Sequence, residues 1–132
     1  MRRVLVPLVA ATLVLSSCSA QGGVSVTLDE WSLEADPAST EAGDVTFTAR
    51  NRGDVVHQLL VLQTTRSFDG LPVRKGVVRL DARGITEVGE IPVVAEDDAE
   101  ALSLTLRAGD YVLICNIASH YSNGMRARFR AT

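Results

Sequence analysis

Histidine is scarce in this chain: 132 residues contain only His57 and His120. Aromatic residues make up 5% of the sequence, so aliphatic side chains must fill the interior. There is no excess of positive charge. Thirteen basic residues stand against 16 acidic ones, for a net charge of −3, which argues against nucleic acid as a partner because phosphate binding needs a basic surface. The chain also lacks an amphipathic helical stretch of normal length, an internal repeat and any low-complexity segment, which excludes helical bundles and solenoids. Its longest apolar run, Val4 to Leu15, is too short to span a membrane comfortably. What is present is 46% apolar and 22% charged, ordinary for one soluble domain of this length.

The two cysteines, Cys18 and Cys115, belong to different contexts. Arg2 and Arg3 followed by the apolar run match a secretory signal peptide over residues 1–17. The run ends in Leu15-Ser16-Ser17-Cys18, which resembles the lipobox of bacterial lipoproteins. That resemblance implies cleavage before Cys18, acylation of its thiol, and residence on the extracytoplasmic face of a bacterial membrane, periplasmic or extracellular. Removal of Arg2 and Arg3 leaves 11 basic residues against 16 acidic ones and a net charge of −5. Residues 18–23 then form the lipidated cysteine and a short tether, whose five residues after Cys18 reach about 17 Å when extended. With Cys18 committed to lipid, no disulfide to Cys115 is expected. A lone thiol in an oxidising compartment is a liability unless something occupies it.

From Val24 to Thr132 the pattern is that of one β domain. Val24, Val26 and Leu28 alternate with polar residues, as do Val45, Phe47 and Ala49, and each set reads as a half-buried strand. Glu34 to Gly43, with Pro37, reads as a loop. Asn51-Arg52-Gly53-Asp54 is a turn signal, and Val55 to Gln63 is a strand apolar on both faces, hence central. Thr64 to Gly76 is an irregular excursion. Val77–Leu80 and Ile85–Ile91 are short strands joined by the turn at 81–84, and Pro92–Ala99 is an acidic loop. Leu102, Leu104 and Leu106 alternate in another strand. Ala108-Gly109-Asp110 turns the chain into Tyr111–Cys115, and the last strand is Met125 to Thr132. Short strands separated by turn signals predict an all-β sandwich or barrel.

Chemistry concentrates between the last two strands. Cys115, His120 and Met125 stand in a C-x4-H-x4-M spacing on one tight loop, and His57 lies in the central strand. Singly, each has a plain reading: a small buried thiol, a loop imidazole, core filling and a core histidine. Together, a thiolate, two imidazoles and a thioether form a soft donor set that selects copper, and two histidines, a cysteine and a weak methionine are the blue-copper arrangement. Strand parity agrees. Tyr111, Leu113 and Cys115 share a face, as do His57, Leu59 and Val61. Ala127, Phe129 and Ala131 share the inward face with Met125, while Arg126, Arg128 and Arg130 face water.

With Asn51 to His57 upstream, Ala108-Gly109-Asp110-Tyr111, Cys115-Asn116, His120-Tyr121 and Gly124-Met125, the chain resembles a small cupredoxin of the plastocyanin/azurin superfamily, especially its sulfocyanin-like members, over residues 24–132. The resemblance implies a Greek-key β-sandwich with one copper ion, Cu(II)/Cu(I), at one end, held by His57, Cys115, His120 and Met125. Many relatives have glycine where this chain has Ser119, and a positive φ there would strain a serine. Asn51 and Asn116 are candidates to tie the ligand loops together, and Ile117, Ala118 and Tyr121 are expected around His120. The function expected is a non-enzymatic, lipid-anchored electron carrier whose partner is a cytochrome, oxidase or reductase. Two histidines are too few for the additional copper sites that catalysis on a small molecule would use. The rival reading is a copper-buffering or copper-delivery lipoprotein that passes its metal to an acceptor; a poorer one is a metal-free structural sandwich.

Overall fold

The computed structural model describes residues 22–132, so the expected signal peptide at 1–17 and the expected lipidation of Cys18 lie outside the described residues. In chain order the strands are β1 (Gly22–Asp29), β2 (Ser32–Asp36), β3 (Ser39–Thr40), β4 (Gly43–Asn51), β5 (His57–Thr64), β6 (Val73–Arg74), β7 (Val77–Val78), β8 (Ile85–Val94), β9 (Ala99–Leu106) and β10 (Gly109–Ile114); a four-residue helix, α1 (His120–Asn123), and β11 (Arg126–Ala131) complete the chain. One sheet has the order β2-β1-β4-β9 and the other β3-β11-β10-β5-β8, with β6 and β7 as a separate ribbon. The architecture is the all-β sandwich expected.

Alternation built the core. Val24, Val26 and Leu28 of β1 and Val45, Phe47 and Ala49 of β4 are buried against Leu59, Val61, Tyr111, Leu113, Phe129 and Ala131 of the opposite sheet. The rings of Phe47 and Phe129 meet edge to face across it, with centroids 5.2 Å apart, the arrangement aromatic quadrupoles favour. β5 is apolar on both faces because both faces are covered. Leu60 and Leu62, with Val112 and Ile114 of β10, form a second cluster with Leu71, Val78, Ile85 and Tyr121. The excursion after β5 is therefore a cover for the outer face of the five-stranded sheet.

Several expectations need correction. Glu34–Gly43 is not a plain loop: β2 pairs antiparallel with β1, Leu28 opposite Leu33, and β3 pairs with β11. β2 is an edge strand with one buried residue, Leu33, so it carries almost no periodic signal. β1 starts at Gly22, so Gly22 and Gly23 belong to the sheet and not to a tether. β7 turns back onto β6 and forms no hairpin with β8. β8 itself runs through Pro92 to Val94. It is an edge strand, and Pro92 falls at a register shift, where Ile91 pairs with Leu59 and Val94 with His57; a proline is tolerated at such a bulge because no ladder bond is lost. Two of the arginines of β11 do more than face water. Arg128 lies over the Phe68 ring at 4.5 Å and Arg126 over the Tyr121 ring at 5.2 Å, so their guanidinium groups help seal the cover.

Candidate metal centre

Three segments meet at one end of the sandwich: the turn into β5, the loop from β10 to β11, and the tip of the β1–β2 hairpin. The turn is held by Asn51, whose side chain is buried. Its amide nitrogen donates to Val55 O at 2.8 Å and Val94 O at 3.0 Å, and its oxygen accepts from Gly53 N at 2.9 Å. This satisfies both donors and the acceptor of a buried amide and fixes the chain entering His57.

The loop is fixed by its own backbone. Cys115 N donates to Met125 O and Met125 N to His120 O, both at 3.1 Å. Asn116 accepts from Val78 N at 2.7 Å and donates to Val78 O at 3.2 Å. Asn51 and Asn116 thus each tie their own segment to a neighbouring strand, not one ligand loop to the other. Ser119 adopts φ 74°, the left-handed conformation, and caps α1 without a side-chain hydrogen bond. Tyr121 turns away from the position expected beside His120. It plugs the outer cluster, donating to Phe68 O at 2.8 Å and accepting from Leu71 N at 3.0 Å.

The donors converge. His57 Nδ1 lies 3.3 Å from His120 Nδ1, and Cys115 Sγ 3.4 Å from the same atom. All three donor atoms fall within 4.8 Å of one another, and all three residues are buried. Met125 is fully buried in the same cluster as Cys115. Metal bonds of about 2.0–2.3 Å to imidazole and thiolate at tetrahedral angles put such donors roughly 3.3–3.6 Å apart, so the spacing fits one ion. A thiolate and two imidazoles, with the buried Met125 joined through its backbone to Cys115 and His120, fit copper by softness.

The electrostatics suit that reading. Burial pushes the Cys115 thiol above its ordinary pKa, opposed by N–H groups from Ile117 and Gln58. Gln58 N points at the sulfur from 3.3 Å and would stabilise a thiolate. Burial lowers His120 first, the nearby His57 adds to it, and Glu30 opposes both; the balance favours the neutral imidazole a metal requires. Metal binding at such a site releases the thiol proton.

Two residues at the hairpin tip were not legible in the sequence. A Glu30 carboxylate oxygen lies 2.8 Å from His57 Nε2, and its carboxylate also accepts from Asp54 N at 2.9 Å and Val55 N at 3.3 Å. The Trp31 ring packs edge-on against His120 with centroids 4.9 Å apart, and Trp31 is itself half exposed. Gly124 allows the approach: at φ 130° it stands where a Cβ would run into Trp31 O. Leu33 and Ala35 resume the alternation after the tip, but with Leu33 alone buried on β2 that signal is too weak to mark it. A groove of about 560 Å³ lined by Arg66, Phe68, Tyr111 and Arg128 lies at the other end of β10 from Cys115 and plays no part in the donor cluster.

No protein-family model matches the sequence, and no curated protein matches it. Solved structures do. An auracyanin of the photosynthetic bacterium Roseiflexus castenholzii superposes with a TM-score of 0.60 at 18% identity, covering 86% of this chain and 99% of that one. Auracyanin A of Chloroflexus aurantiacus, described as a blue copper protein, gives 0.62 at 17% identity over 86% and 100%. Auracyanin B gives 0.57 at 18% over 84% and 88%. The chain has the cupredoxin fold that its motifs imply, and its donor cluster lies at one end of that fold.

Proposed function

We propose that the chain is a mononuclear blue copper protein that carries single electrons between redox partners on the extracytoplasmic side of a membrane, held there by lipid on Cys18. The observation that carries this reading is the meeting of His57 Nδ1, Cys115 Sγ and His120 Nδ1 in one buried cluster, inside a fold shared with proteins described as blue copper proteins. His57, Cys115 and His120 are the strong ligands and Met125 the weak one. Bound copper supplies a one-electron couple, Cu(II) gaining one electron from a donor and Cu(I) returning it to an acceptor. The protein's part is to hold the donors in one geometry for both states, so that little reorganises when the electron moves. The burial of all four residues favours a carrier over a delivery protein, which needs a labile, open site. The loop carrying Glu96, Asp97 and Asp98 is exposed and joins the ligand end through Asn51 N to Asp98 O at 3.0 Å; it suits a partner with a basic face.

Copper titration of the purified parent and of Cys115→Ser tests the reading. The parent is expected to turn intensely blue with Cu(II) and to show a reversible one-electron couple; the variant is expected to do neither. Equal copper binding by the two proteins would eliminate the site. Tight Cu(I) binding with ready transfer and no stable Cu(II) form would move the assignment to copper handling. Release of the protein from membranes by Cys18→Ala checks the anchor.

A further inference from the structure

His57 Nε2 is the buried side-chain nitrogen or oxygen that lacks a directed hydrogen bond among the described residues. It is not alone. A Glu30 carboxylate oxygen lies 2.8 Å away, and its carboxyl is held below the ordinary range by the Asp54 N–H first and by His57 as well. Three features hold that carboxylate in place. The N–H groups of Asp54 and Val55 both point to it. Gly53 leaves the space: a Cβ there would collide with the Glu30 carboxylate. Asn51, through Gly53 N and Val55 O, fixes the turn that presents those N–H groups.

The proton count in the pocket gives this contact a consequence. His57 Nδ1 and His120 Nδ1 are 3.3 Å apart, so the contact between them depends on which nitrogen of each ring carries its proton. A carboxylate against His57 Nε2 draws a proton to that nitrogen, and the neutral ring can hold only one. His57 Nδ1 is then left as a bare lone pair on the side of His120 and Cys115. When copper binds, the same negative charge sits behind a ligand and stabilises the more positive oxidised state, as carboxylate–histidine pairs do elsewhere.

We propose that Glu30 is a positioning residue for the metal centre: it fixes His57 in the Nε2–H tautomer and lowers the reduction potential of the bound ion. The second half rests on the copper reading; the first does not. Nitrogen-15 NMR of the imidazoles in the metal-free protein, with Glu30→Gln and Glu30→Ala beside the parent, reads the tautomer. The parent is expected to hold His57 as Nε2–H, and Glu30→Ala to give a mixture. Spectroelectrochemistry of the copper-loaded proteins reads the potential. Glu30→Gln keeps the shape and removes the charge; it is expected to favour Cu(I) by tenfold, a rise of about 59 mV for one electron. Identical His57 tautomers in the parent and Glu30→Ala, or a Glu30→Gln potential equal to the parent's with the blue absorption intact, would overturn the proposal. A parent that takes up no copper would sink the copper reading, while the metal-free spectra would still decide the tautomer.

Discussion

The two segments that supply the donors are held in opposite ways. The turn into β5 gives one residue, His57, and surrounds it with side-chain anchors: buried Asn51 on three backbone groups and Glu30 on two more. The β10–β11 loop gives three residues and relies on short-range backbone bonds among Cys115, His120 and Met125, with a left-handed serine at its bend. The chemistry is local in sequence, but its rigidity is imported. The loop sets its residues against one another through bonds closed within it, while Asn116, on Val78, and Ser119 N, on Gly76 O, tie it to the neighbouring ribbon. A single donor from a distant strand has no such closure and needs anchors from elsewhere in the fold.

That contrast predicts an ordering of mutational costs. Asn51→Ala removes three hydrogen bonds of a buried amide and strands Gly53 N, Val55 O and Val94 O. Each stranded group costs about 1 kcal/mol or more, so a loss near 3 kcal/mol is expected in denaturant unfolding of the metal-free protein. Asn116→Ala removes two bonds, both to Val78, from a half-buried position, and about 1–2 kcal/mol is expected. A larger cost at Asn116 than at Asn51 would reverse the comparison and make the loop the externally anchored segment.

Trp31→Ala separates shielding from stability. The half-exposed Trp31 ring leans on His120, and its removal is expected to cost about 1 kcal/mol or less by lost apolar contact. It uncovers the imidazole edge. Water relaxation measured on the Cu(II) protein should rise in the variant while the unfolding midpoint barely moves. Unchanged relaxation would mean that other groups close the site.

Legibility followed burial. β1, β4, β9 and β11 alternate because each has one face in the core and one toward solvent, and β5 and β10 read as apolar because two clusters claim them. β2 and β3 left little trace because edge strands with one buried residue, as in β2, or none, as in β3, impose little on their sequence. That gap hid the site's supporting residues. Glu30 and Trp31 become neighbours of His57 and His120 only through the β1–β2 register, and no local pattern of charge or hydropathy encodes a contact made by a hairpin tip. Cys115, His120 and Met125 were legible for the opposite reason: their spacing along the chain is itself the geometry of the loop. The excursion before β8 was legible as irregular, with a short strand at Val77–Leu80, but not as the cover of the outer cluster, since Leu71 and Val78 belong to no longer pattern that shows which face they cover.

The smallest effect concerns the one strained element of the loop. Ser119 at φ 74° is in a region that costs a non-glycine residue roughly 1 kcal/mol or more, and its side chain makes no capping bond that glycine would forfeit. Its N–H, which donates to Gly76 O at 2.8 Å, survives the substitution. Glycine also gains freedom in the unfolded chain, which offsets about 0.4–1 kcal/mol of the relief. Ser119→Gly is therefore expected to stabilise the metal-free protein by about 0.5 kcal/mol, read as a rise of a few degrees or less in the thermal midpoint. The copper-loaded potential should not change, because the loop's closing bonds between Cys115, His120 and Met125 do not involve the serine side chain. A clear loss of stability would show that the stiffness of serine, and not only the backbone bonds around it, keeps His120 in place.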